Sequence, residues 1–181
     1  MNSRFRIVGV VVLLASLVGA GVGVHRYYRW KNFGVVEEGR LYRSGQLTGP
    51  QLERMIDKLH LKTVVCLHPE FAGREREICK RKGVQFVELP MHSSGEGAPE
   101  QFGEFFSLAI DPSRQPLLVH CYAGVARTGA CVALYRMGRQ GWNFDQAVAE
   151  LKTFEKNGQM DPSLGKQDRK STRLNSSHTV I

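Results

Sequence analysis

The 181-residue sequence contains no Cys-x-x-Cys pair, and the spacing of its four cysteines, Cys66, Cys79, Cys121 and Cys131, suits no zinc site. No metal is therefore expected, and no cofactor is called for. No stretch interleaves aromatic and basic residues as nucleic-acid binders do. This sets nucleic acid aside as a partner despite a net charge of +8. Internal repeats and low-complexity linkers are also absent. With 9% aromatic and 23% charged residues, the chain has the composition of one ordinary globular domain rather than of a disordered segment.

One further absence is local. Ile7 to Val24 carries no charge, while Arg4 and Arg6 precede it and "HRYYRWK" follows. The run is at the lower length limit for a membrane-spanning helix, and Tyr27, Tyr28 and Trp30 suit an interface, with Arg26, Arg29 and Lys31 beside them. A cleaved signal peptide is the rival, with small residues at Val18-Gly19-Ala20. An uncleaved anchor is expected: a single-pass membrane protein, of bacterial inner-membrane type, with the remainder on the periplasmic side. At the other end, "DRKSTRLNSSH" (Asp168–His178) reads like the in-frame translation of a sequencing-adapter oligonucleotide. Residues 166–181 are expected to be a non-native or disordered tail, and 1–31 a membrane anchor with a basic flank. The folded domain then occupies 32–165.

Within it, apolar runs alternate with amphipathic ones. Thr48 caps a helix with Pro50 in its first turn and Leu52, Met55, Ile56 and Leu59 on one face. Lys62–Leu67 and Val84–Leu89 read as strands, separated by a charged helix from Arg74 to Lys82 that Gly83 closes. Pro99 opens a helix carrying Phe102, Phe105, Phe106, Ala109 and Ile110. Leu117–Val119 is a buried strand, and a helix running to Gln140 follows it. Asn143 and Gln146 form a capping box for a last helix, with Phe144, Ala147, Val148, Leu151 and Phe154 as its apolar stripe. This alternation predicts an α/β fold with a mainly parallel central sheet flanked by helices.

The strand-to-helix junction reads "HCYAGVARTG", His120 to Gly129. Small residues around Gly124 let backbone N–H groups turn inward on an anion, and the helix N-terminus adds its positive end. Arg127 supplies a guanidinium fork matched to phosphate. The same field ionises a thiol, whose ordinary pKa near 8.5 falls at helix N-termini. The stretch resembles the signature loop of the cysteine-dependent protein tyrosine phosphatases, His-Cys-(x)5-Arg-Ser/Thr-Gly, at His120, Cys121, Arg127, Thr128 and Gly129. "GRLYRSGQL" (Gly39–Leu47) and "PEQF" (Pro99–Phe102) are similar to the small dual-specificity-like branch of bacteria, plants and fungi.

The resemblance implies a protein-tyrosine-phosphatase-like fold. It implies Cys121 as nucleophile and Arg127 with the amides of Tyr122, Ala123, Gly124, Val125, Ala126 and Arg127 as phosphate ligands. Thr128 would assist the leaving thiolate, and His120 would order the loop. It also implies a general-acid aspartate on an upstream loop, here "PMHSSGEGAPE" (Pro90–Glu100), which has none. Glu96 is the expected substitute and His92 its rival, whereas Asp111 is expected to cap or turn. The loop interior is neutral, and Arg43, Arg74 and Arg76 are placed at the rim. The expected function is a phosphatase acting on phosphotyrosine, a dual-specificity phosphoprotein or a small phosphomonoester. Hydrolysis of inositol phosphates or phosphoinositides, a phosphate-binding pseudophosphatase adaptor and rhodanese-type sulfur transfer stay open as alternatives.

Overall fold

The computed structural model describes residues 10–21, 30–68, 70 and 72–157, divided between two units, Met1–Trp30 and Lys31–Ile181. In the first unit a helix, α1, covers 10–21. At 1.5 Å per residue the described part spans about 18 Å. Among the described residues no helix is long and apolar enough to cross a membrane. The other residues of the expected span, 7–9 and 22–24, lie outside the described residues, as does the tail 166–181.

The second unit is built on a five-stranded sheet of β1 (Gly34–Glu37), β2 (Leu41–Gly45), β3 (Thr63–Cys66), β4 (Gln85–Glu88) and β5 (Leu117–Cys121), ordered β1-β2-β5-β3-β4. Pairings β2·β5, β5·β3 and β3·β4 are parallel, and only the edge strand β1 runs antiparallel, with Val35 opposite Tyr42. The sheet is thus mixed. Being central, β5 is covered on both faces, which is why Leu117–Val119 are apolar without alternation and the strand is buried at every position. Strands β1 and β2 have no counterpart among the elements expected from periodicity. β2 hides an arginine and a serine in a fully buried run, and no hydrophobic pattern announces that.

The helices are α2 (Gly49–Leu59), α3 (Ala72–Lys82), α4 (Pro99–Ile110), α5 (Ala126–Gln140) and α6 (Phe144–Asn157). Their ends follow local chemistry. Gln51 Oε1 accepts the Thr48 N–H at 3.0 Å, and Asn143 and Gln146 cap each other's N–H reciprocally at 2.9 Å. Gly83 leaves α3 with φ of 67°. Asp111 turns the chain after α4 by accepting the Ser113 N–H at 2.8 Å. The core joins Val65, Leu67, Leu117 and Val119 of the sheet region to Phe105, Ala109, Cys131, Val132 and Tyr135 of α4 and α5. Two residues of the expected apolar faces are exposed: Phe144 at 69% and Ile110 at 42%. Each sits at a helix terminus, past the reach of the opposing layer.

β5 ends at the carboxyl edge of the sheet, and α5 starts five residues beyond Cys121, at Ala126. Parallel sheets place ligands at this edge, where helix N-termini converge.

Candidate active site

The turn from Tyr122 to Val125 is held from outside by its carbonyls. The Gln46 N–H donates to Tyr122 O at 3.1 Å, Asn32 Nδ2 to Ala123 O at 2.8 Å, and Arg43 Nη2 to Gly124 O at 2.8 Å. In a trans peptide the next residue's N–H points opposite the carbonyl. Tying three successive carbonyls outward therefore turns the N–H groups of Ala123, Gly124 and Val125 inward, toward Cys121. The Gly124 N–H already reaches Cys121 Sγ at 3.2 Å. The three donors all come from the segment 32–46.

Two glycines permit this closeness. Gly124 has φ of 74°, and a Cβ there would fall 2.4 Å from Gly45 N. A Cβ on Gly45 would fall 2.8 Å from Ala123 O. The backbones of β2 and the turn are in van der Waals contact, with no room for side chains between them.

Cys121 is buried, which alone would push its thiol pKa up. The Thr128 hydroxyl and N–H, the Arg127 charge and the Gly124 N–H outweigh this and hold it below the ordinary value. Thr128 Oγ1 is wholly buried and bonded to nothing else. Arg127 is part-exposed, and its Nη1 rests 3.4 Å from Leu67 O at the end of β3. Lys31 lies with its Nζ 4.2 Å from the Tyr122 ring centre and within electrostatic reach of Cys121; burial lowers its pKa and the thiolate raises it. Tyr122 is 41% exposed at the mouth.

On the opposite face of β5, His120 is buried against α3. Its Nε2 is 3.1 Å from Glu75 Oε2, an ion pair by distance without the alignment of a hydrogen bond. Burial opposes protonation of His120, but Cys66 and Glu75 overcome it and push the pKa up. Cys66, Glu75 and His120 present donor atoms within 4.8 Å of one another, all buried. Cys66 Sγ also donates to His68 O at 3.0 Å.

The structure thus brings together Cys121, Arg127, Thr128 and the backbone from Tyr122 to Ala126, with His120 behind them. Glu96 stands apart. Its side chain is 84% exposed, and its nearest partner is His92 Nδ1 at 3.9 Å. Its loop nevertheless touches the turn: a Cβ on Gly95, at φ of 90°, would sit 2.9 Å from Ala126 O. Arg43 is not at the rim. It is 1% exposed, among the largest wholly buried side chains of the described residues. Arg76 pairs with Glu88 on the sheet edge. Sequence reasoning passed over Glu75, Lys31 and Asn32. Glu75 lay hidden in a run of charges, and the other two in a stretch assigned to an anchor flank or boundary. The one available signal was Arg43, sitting inside "GRLYRSGQL".

Comparison with known proteins gives a consistent result. A family model described as DSP-PTPase phosphatase fused to NAD+ kinase matches residues 28–169. The chain is 29% identical over 130 residues to "Inositol diphosphatase DSP1" of Oryza sativa, covering 68% of this chain and 56% of that protein. It is 31% identical over 112 residues to "Dual specificity protein phosphatase TpbA" of Pseudomonas aeruginosa, covering 62% and 50%. The chain thus spans about half the length of these two curated relatives. Among solved structures, the core catalytic domain of the S. cerevisiae PP-IP phosphatase SIW14 superposes with a TM-score of 0.62 at 25% identity, covering 68% of this chain and 75% of that one.

Proposed function

The chain belongs to the DSP-PTPase phosphatase family, and on that premise we propose that it hydrolyses phosphomonoesters through a phosphocysteine at Cys121, with phosphotyrosine or dual-specificity phosphoprotein substrates. The observation that carries this reading is the outward tethering of the Tyr122, Ala123 and Gly124 carbonyls, which leaves an inward ring of N–H groups over a thiol held toward ionisation. In the first step the Cys121 thiolate attacks phosphorus and the ester oxygen leaves. Arg127 and the amides from Tyr122 to Arg127 hold the three equatorial oxygens as their charge redistributes. In the second step water attacks the phosphocysteine, inorganic phosphate departs, and the Thr128 hydroxyl stabilises the returning thiolate. His120 keeps a positive charge beneath the loop throughout.

Glu96 is assigned the proton that the leaving oxygen needs. Its loop touches the start of α5 through Gly95, and its carboxylate is exposed to solvent. Attachment to a membrane through residues 7–24 belongs to the same reading. It is supported by the uncharged run and its basic, aromatic flank. Carbonate extraction of cells expressing the full chain and a chain lacking 1–31 tests it, and release of both alike would rule it out.

A second reading, hydrolysis of a polyol diphosphate, is favoured by one observation: Lys31 brings a cation to a loop whose own interior is neutral. The experiment is a panel of phosphotyrosine, phosphoserine and inositol phosphate and diphosphate substrates, run on the full chain and Cys121→Ser. Turnover of aryl phosphate lost in Cys121→Ser is expected. Tight phosphopeptide binding without turnover would point instead to a pseudophosphatase.

A further inference from the structure

Arg43 is the largest wholly buried side chain of the described residues, and it enters the mechanism above only as the tether of the Gly124 carbonyl. A guanidinium removed from water normally finds a carboxylate and fills its five donors. Arg43 does neither. Its one hydrogen bond runs from Nη2 to Gly124 O, and Nε and Nη1 have no partner. The fold makes room for it nonetheless. Gly34 lies against its stem, where a Cβ would come within 3.2 Å of Cγ, and Gly129 of α5 lies 3.9 Å from Nη2 by the same measure. The Phe154 ring of α6 covers the guanidinium at 3.6 Å.

Register explains where the charge points. Arg43 pairs with Val119 on β5, so its side chain leaves the sheet on the face that Cys121 shares, two residues on. The charged groups around it are Cys121 of β5, Glu150 of α6 and Arg136 of α5. Around Cys121 itself stand Lys31, Arg43, Arg127 and the Cys131 thiol. Burial pulls the Arg43 pKa down to about 10, with Glu150 and the thiolate opposing, so the group is charged at neutral pH.

We propose that Arg43 is a positioning residue of the phosphate loop: tied to the Gly124 carbonyl, it keeps the Val125 N–H turned inward, and it lends the Cys121 thiolate a second, solvent-shielded positive charge. Arg127 must hold substrate and is exposed to it; Arg43 stays in place whether or not the site is filled. A buried guanidinium with no carboxylate bonded to it and two nitrogens unsatisfied is unfavourable for folding, and its retention beside a thiolate gives that charge a use. The inference rests on the phosphatase reading for its kinetic consequence, but not for its effect on the thiol.

The test uses the full chain with Arg43→Met, which keeps the bulk and removes the charge, and Arg43→Lys, which keeps the charge and loses the fork. The rate of Cys121 alkylation by iodoacetamide is followed against pH by mass spectrometry, with kcat and KM on an aryl phosphate in parallel. In Arg43→Met the alkylation midpoint is expected to rise by about one pH unit. Its kcat should fall roughly 10–100-fold, the range of a hydrogen bond to a charged group. Arg43→Lys should keep the midpoint within a few tenths of a unit while kcat still falls. A folded Arg43→Met with an unchanged midpoint overturns the proposal. If that variant fails to unfold cooperatively, Arg43→Lys decides, and wild-type kcat together with wild-type protection of Cys121 by inorganic phosphate overturns it. A wild-type chain that turns over no ester defeats the phosphatase reading alone, because the alkylation midpoints still report on Arg43.

Discussion

Replacing Glu75 by Gln tests whether the His120 pair is ionic. Both side chains are nearly sealed from solvent, at 3% and 5% exposure, so little screening weakens the pair. Removing one partner of a buried ion pair costs about 3–5 kcal/mol, a large part of the 5–15 kcal/mol available to a domain. The loss should depend on pH in a defined sense. His120 has its folded pKa raised to about 10, against about 6.5 when unfolded. Its contribution is therefore fully present below 6.5 and lost as pH rises through 10. Across that window the native state holds one proton more than the unfolded state, so wild-type stability falls by about 1.4 kcal/mol per pH unit from this group. In Glu75→Gln only Cys66 is left to oppose desolvation of the imidazole, so its pKa falls and that slope shrinks. Urea unfolding at pH 6.5, 8 and 9.5 should show the gap between the two proteins narrowing steadily. Groups shared by both proteins, Cys121 included, cancel in the difference. A gap that stays constant from pH 6.5 to 9.5 would falsify the ionic pair and leave Glu75 as a neutral hydrogen-bonding residue.

Other substitutions separate the loop, the acid and the scaffold. Gly124→Ala forces a Cβ to within 2.4 Å of Gly45 N at φ of 74°; the loop must shift, and aryl phosphate turnover should fall more than about 100-fold with a lower melting temperature. Glu96→Gln should reduce kcat about 10²–10⁴-fold on phenyl phosphate and much less on p-nitrophenyl phosphate, whose leaving group needs no proton. The same pattern in His92→Ala instead would transfer the role to His92. Arg136 holds Glu150 through two bonds of 3.0 and 2.6 Å and Val36 O at 2.7 Å, tying α5 to α6 and β1. Arg136→Met should lower stability by about 3 kcal/mol in chemical denaturation.

What the sequence made legible follows from how each feature is encoded. Helices α2, α4 and α6 carry caps and apolar spacing within a dozen residues, and β5 announces itself by the apolar run Leu117–Val119. Cys121, Arg127 and Thr128 sit in one contiguous loop, so their proximity needs no tertiary fold. Arg43, Lys31, Asn32 and Glu75 reach the same site from β2, the segment before β1, and α3. Their roles are set by a strand order in which β2 and β3 both flank β5, and no local spacing states that order. Arg43 misled for a specific reason: an arginine in a polar-looking stretch reads as surface, and only the fully buried run of Leu41 to Gly45 shows that it is not.

The loop and the segment before it are, physically, one device. A phosphate cradle made of N–H groups has no side chains of its own to set its shape, so the shape must be imposed through its carbonyls. Three of those carbonyls are held by Asn32, Arg43 and Gln46, and Gly45 is kept bare so that the strand can approach. "GRLYRSGQL" is therefore as much part of the site as "HCYAGVARTG", although it supplies no group that touches substrate. A change in the first stretch should appear as a misdirected amide in the second. The defect would fall on kcat rather than on KM, because the N–H groups gain most of their strength on the charge that develops in the transition state.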